Sequence, residues 1–160
     1  MKDLKSLMRG PPSLTLAVAE SVTCGRVQAK VGAISGASDF FLGGITAYTL
    51  DQKVRRLGVT RATAAAVNSV SAEVAEQMAR GVCELFGSDA GVATTGYAEP
   101  SAERSVPVPF GWWAVARRSP GGRFRVRSGR VDCPGDGRVA AQERVAEAAL
   151  AALADWLGED

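Results

Sequence analysis

Histidine is absent from this 160-residue sequence, which removes both the usual general base and the commonest transition-metal ligand. Cysteine is scarce. Cys24, Cys83 and Cys133 are odd in number, widely spaced and free of any CxxC pair, which argues against a disulfide framework and against a zinc site. No run of about 18 uninterrupted apolar residues occurs, and no secretory-length apolar stretch follows Lys2 and Lys5. The expectation is a cytoplasmic protein that does not enter a membrane. An excess of either charge is also missing: the formal net charge is +2, with arginines and carboxylates interspersed, so no polycationic tail points to nucleic acid or an anionic membrane. Only Arg123, Arg125 and Arg127, alternating along one strand, could contact a polyanion. Catalysis, if present, must rest on hydroxyls, carboxylates, tyrosine, cysteine or a lysine whose burial favours the neutral amine. No metal or cofactor is called for.

The length suits one domain with one continuous core. Residues 1–13 read as a short amphipathic extension broken by Gly10, Pro11 and Pro12. A buried strand over Leu14–Ala19 then turns through Glu20–Gly25 into a helix with apolar positions Val27, Val31 and Ile34. A strand over Phe40–Thr49 contains Gly43 and Gly44, a sign of a bulge or close backbone approach. Asp51 is placed to cap a short helix carrying Lys53. Ser71 as N-cap, Glu73 in the first turn, the stripe Val74, Met78, Val82 and Leu85, and a stop at Gly87 define a long central helix. A strand over Ala90–Thr95, a Pro-rich loop from Gly96 to Pro109, a hairpin over Gly111–Val131 and an alanine-rich helix over Gly137–Leu157 complete the chain. Early alternation of strand and helix followed by one hairpin predicts an α/β fold. Its form is a three-layer α/β/α sandwich around a mixed, mostly parallel sheet.

In such sheets ligands gather beyond the carboxyl ends of strands, where glycines and helix N-termini offer backbone N–H groups. Three segments rich in hydroxyls and glycine are assigned to that position: Ser21–Gly25, Ser35–Ser38 with the glycines after it, and Thr94–Gly96.

The order of motifs resembles the CinA C-terminal domain family, which includes stand-alone nicotinamide-nucleotide amidohydrolases. The matching stretches are ESVTCG at Glu20–Gly25, GASDFFLGG at Gly36–Gly44, Tyr48, Lys53, RRLGV at Arg55–Val59, VSAEVAEQMARG at Val70–Gly81 and ATTGYAEP at Ala93–Pro100. They are collinear and cover nearly everything from Leu14 to Leu157. The resemblance implies hydrolysis of the carboxamide of nicotinamide mononucleotide, with Ser38 as nucleophile, Lys53 as its base and Tyr48 as a hydrogen-bonding partner. It further implies that Ser21, Thr23, Gly25, Gly43, Gly44, Thr95, Gly96 and Arg138 bind the substrate, and that the protein is a homo-oligomer. A serine hydroxyl needs a base to become a nucleophile, and a partly buried lysine can be that base where histidine is missing.

The chain also departs from the family pattern. Leu50 replaces an asparagine, Cys24 and Glu99 replace glycines, and Gly137 stands where the family has an arginine, displacing Arg138 by one position. An acidic Glu99 would repel a phosphate, and one residue along a helix rotates a side chain by about 100°. These changes motivate an alternative, a nucleotide-binding relative that has lost turnover.

Overall fold

The computed structural model describes residues 3–159. Five strands form one sheet in the order β2-β1-β3-β4-β5: β1 (Leu16–Glu20), β2 (Phe41–Thr46), β3 (Ala90–Tyr97), β4 (Phe110–Arg118) and β5 (Phe124–Asp132). β1 pairs in parallel with β2 and β3, while β4 runs antiparallel to both β3 and β5. The sheet is therefore mixed, with one strand of five opposing the rest.

Side-chain alternation along these strands makes two cores. Ala17, Ala19, Ala93, Ala114 and Ala116 face one layer, together with α3 (Leu50–Leu57), α4 (Arg61–Ala66) and α5 (Ala72–Phe86). Leu16, Val18, Ala90, Val92 and Val115 face the other, with α1 (Leu4–Met8), α2 (Arg26–Gly32) and α6 (Arg138–Gly158). The small residues on the first face let α5 lie close to the sheet. Trp112 packs with the first core and Trp113 with the second, so neighbouring tryptophans on one strand are each covered by a different layer. Met8 is fully buried in the second core, which makes the N-terminal extension part of the fold. Among the described residues no helix is long and apolar enough to cross a membrane.

The central helix has the bounds its sequence implies. Ser71 Oγ accepts from the Val74 amide at 3.1 Å, and Gly87 closes the helix in the left-handed region at φ 68°. β2 ends earlier than its composition suggests. Thr49, not Asp51, caps α3 by accepting from the Gln52 amide at 3.3 Å, and Asp51 instead pairs with Arg55 and Arg61. α4 had no sequence signal strong enough to place it. The Pro-rich loop is tied by a two-way bridge between Ser101 and Val106.

Candidate active site

Ser21 directly follows β1, and Lys53 lies in the first turn and a half of α3, which follows β2. Because β1 and β2 are parallel neighbours, residues just beyond their carboxyl ends meet at the same end of the sheet. There the Lys53 ammonium donates to Ser21 Oγ at 2.9 Å and to the Tyr48 carbonyl at 2.8 Å. Lys53 is only 2% exposed, and among the described residues no carboxylate lies within ion-pair distance of it. Burial alone lowers its pKa from 10.5 to about 8, which places a substantial neutral fraction within reach of physiological pH. Ser21 and Lys53 open onto a cleft of about 520 Å³, walled by the β2–α3 loop, the segment from Asn68 to Val70, the β3–β4 loop and the start of α6.

The turn that aims Ser21 is held from behind by Glu20. This fully buried carboxylate accepts from Thr23 Oγ1 at 2.5 Å, from the Gly25 and Val27 amides at 3.0 Å each, and from the Gln28 amide at 2.8 Å. It thereby satisfies N–H groups that the start of α2 leaves open. Thr23 Oγ1 also lies 2.7 Å from Thr94 Oγ1, tying the turn to β3. Cys24, exposed, has φ 45°, the left-handed conformation that suits the glycine of the family pattern.

Of the residues singled out from sequence, Ser21, Tyr48, Lys53, Gly96 and Arg138 line the cleft. Ser38 does not. It sits in a 3-10 turn (Ala37–Asp39) that precedes β2, and Leu16, the first residue of β1, pairs with Phe41. A serine before a strand and a lysine after it lie a strand length apart, about 20 Å for six residues, so the pairing of Ser38 with Lys53 is corrected to Ser21 with Lys53. Gly43 and Gly44 are likewise removed from the ligand side. Gly43 (φ 136°) sits beside the register shift of β2, a bulge that skips Leu42. A Cβ on Gly44 would come within 2.6 Å of the Gln28 side chain, so these glycines serve packing. Thr23 and Gly25 are turned to Glu20, and the Thr95 hydroxyl donates to the Ser69 carbonyl at 2.6 Å. Tyr48 contributes its carbonyl to Lys53, whereas its phenol stands half exposed at the mouth, 3.2 Å from Arg138 Nη2.

Arg138 does reach the site from its displaced position. Its Nη1 donates to Glu99 Oε1 at 3.0 Å, so the guanidinium spans the mouth from Tyr48 to Glu99. Sequence reasoning did not pick out Asn68 and Ser69. Both line the cleft and both are left-handed, at φ 50° and 61°. Their one visible signal is position: they precede α5, whose N-terminus lies at the carboxyl end of the sheet.

The fold and the site together define a three-layer α/β/α domain in which a buried lysine lies against a serine at the carboxyl end of two parallel strands. The family model described as the CinA C-terminal domain matches residues 5–157, and the chain belongs to that family. A CinA-like protein from Chlorobium limicola is 39% identical over 148 residues, which is 92% of this chain and 34% of that protein. One from Chlorobaculum tepidum is 41% identical over 88% of this chain and 33% of its own length. The chain thus spans about a third of these relatives. Among solved structures, a CinA superfamily protein from Enterobacter cloacae superposes with a TM-score of 0.85 at 27% identity, covering 96% of this chain and 88% of the other. The competence/damage inducible protein CihA from Agrobacterium tumefaciens gives 0.75 at 28% identity over 96% and 92%.

Proposed function

We propose that this domain hydrolyses a primary carboxamide, that of nicotinamide mononucleotide, through Ser21 and Lys53. The observation that carries the reading is the 2.9 Å approach of a buried, pKa-lowered amine to a serine hydroxyl. In its neutral form Lys53 takes the Ser21 proton while Oγ attacks the amide carbon. The Val22 N–H comes directly after Ser21 in the turn, at a residue that lines the cleft, and supplies a donor for the oxyanion. The Lys53 ammonium then protonates the departing nitrogen, ammonia leaves, and an ester to Ser21 remains. Water, deprotonated by Lys53, cleaves that ester to the carboxylate and restores the serine. The Tyr48 carbonyl holds the amine in line throughout.

The test is ammonia release from nicotinamide mononucleotide by the purified protein. Ser21→Ala should reduce release to background, and Ser38→Ala should leave it within about twofold, since Ser38 lies outside the cleft. Loss with Ser38→Ala, or persistence with Ser21→Ala, would refute the assignment. Binding without turnover is the second reading and draws on Glu99 at the mouth. It predicts a nucleotide-dependent rise in melting temperature with no product.

A further inference from the structure

The charged groups lining the cleft are few: Lys53, Arg138 and Glu99. Lys53 must be neutral to act as a base, and Arg138 is held by Glu99 at 3.0 Å. In the form competent for reaction, the lining therefore has one positive and one negative group and no net charge. A phosphomonoester has a charge of about −1.5 to −2 at neutral pH. It needs a guanidinium free to chelate it, and here the guanidinium at the mouth already has an anionic partner.

The pair is open to solvent, with Arg138 48% and Glu99 62% exposed. An exposed ion pair is weak and a phosphate can displace it. Displacement does not remove Glu99, however. Its backbone lies at the mouth, in a loop that the Ser101–Val106 bridge closes on itself, so the released carboxylate remains among the groups lining the cleft and repels an anion there across a short, partly screened distance. Tyr48 fixes the guanidinium from the other side through its hydroxyl at 3.2 Å, which limits how far Arg138 can swing towards a ligand alone.

We infer that Glu99 is a specificity-determining residue that cancels the phosphate preference Arg138 would otherwise confer, so that the cleft accepts dephosphorylated nucleoside carboxamides as readily as nucleotides. The inference rests on the carboxamide reading above and refines its substrate class.

The experiment compares kcat/KM for nicotinamide mononucleotide with that for its dephosphorylated nucleoside, in the wild type and in Glu99→Gln. The wild-type ratio should lie within about threefold of unity. In Glu99→Gln it should rise about tenfold or more in favour of the nucleotide, the change expected from removing one charge at close range. The rise should shrink at 1 M salt and vanish in Glu99→Gln/Arg138→Met. An unchanged ratio in Glu99→Gln, or a wild type that already prefers the nucleotide tenfold, overturns the inference while leaving the hydrolase reading intact. If the wild type releases ammonia from neither compound, the hydrolase reading fails. The same ratio is then read from dissociation constants of the two compounds, by calorimetry on Ser21→Ala with and without Glu99→Gln. Binding of neither compound overturns both.

Discussion

Replacing Lys53 with methionine separates what the amine does for chemistry from what it costs the fold. Methionine is unbranched and of similar size, so it fills the same space without a charge. In the wild type, burial lowers the lysine pKa from 10.5 to about 8. At 1.36 kcal/mol per pKa unit, the folded state bears about 3 kcal/mol for holding the charged form. The native pKa lies below the unfolded one, so between pH 8 and 10.5 the unfolded chain binds the extra proton. Wild-type stability must therefore rise with pH across that window. The methionine variant has no such dependence. Two lost hydrogen bonds, to Ser21 Oγ and the Tyr48 carbonyl, cost about 1 kcal/mol each. The decisive quantity is accordingly the change in the difference between the two proteins. The variant's stability relative to wild type should fall by about 3 kcal/mol between pH 7 and pH 10.5, or about 6–12 °C in melting temperature. Urea unfolding of both proteins at several pH values measures it. Parallel pH–stability curves would refute the claim that this amine is desolvated in the native state. Turnover should drop at least about a hundredfold in the variant, and wild-type kcat/KM should climb through about pH 8 and level off.

Further outcomes concern the turn that aims Ser21. Cys24→Gly should stabilise the protein by about 0.5–1 kcal/mol, because φ 45° strains any residue with a Cβ. Thermal denaturation under reducing conditions checks the sign, and a loss of stability would contradict it. Glu20→Ala should destabilise by at least about 2 kcal/mol, since three backbone amides, that of Val27 buried, and a buried threonine hydroxyl lose their acceptor. A near-neutral effect in denaturant titration would mean that the turn is held by something other than this carboxylate.

The layers were legible in the sequence because periodicity and caps report on them directly. Ser71, the stripe ending at Leu85, and Gly87 define α5 without any tertiary information. The paired half-buried strands around Gly121 and Gly122 similarly gave β4 and β5. α4 was missed because alanines at Ala62, Ala64, Ala65 and Ala66 have no amphipathic contrast, and Ala64 alone is buried. The site was half legible. Lys53 was singled out by residue type and resemblance, yet it was paired with Ser38. The information needed was already in the element order: Ser38 precedes its strand, whereas Ser21 and Lys53 each come after one. In a parallel pair of strands, the segments leaving both strands emerge at one end of the sheet and the segments entering them lie at the other. Asn68 and Ser69 escaped notice because their left-handed conformations belong to the turn that closes α4, where the Asn68 and Ser69 amides donate to the Ala65 and Ala64 carbonyls, and α4 itself had no sequence signal. The Thr95 hydroxyl then ties that turn to β3, a tertiary contact. Whether Arg138 reached the cleft depended on where α6 begins relative to the β3–β4 loop, which no local pattern encodes.

The cleft takes its walls from chain segments as far apart as Ser21 and Arg138, with Lys53, Ser69 and Glu99 between them. No single element of the polypeptide contains it, and a partly unfolded form that releases α6 or detaches β1 from β2 loses part of its wall. Ligand affinity and global cooperativity are thus linked: a molecule seated between Ser21 and Arg138 should slow hydrogen exchange in the central strands β1 and β3, not merely in the loops it touches.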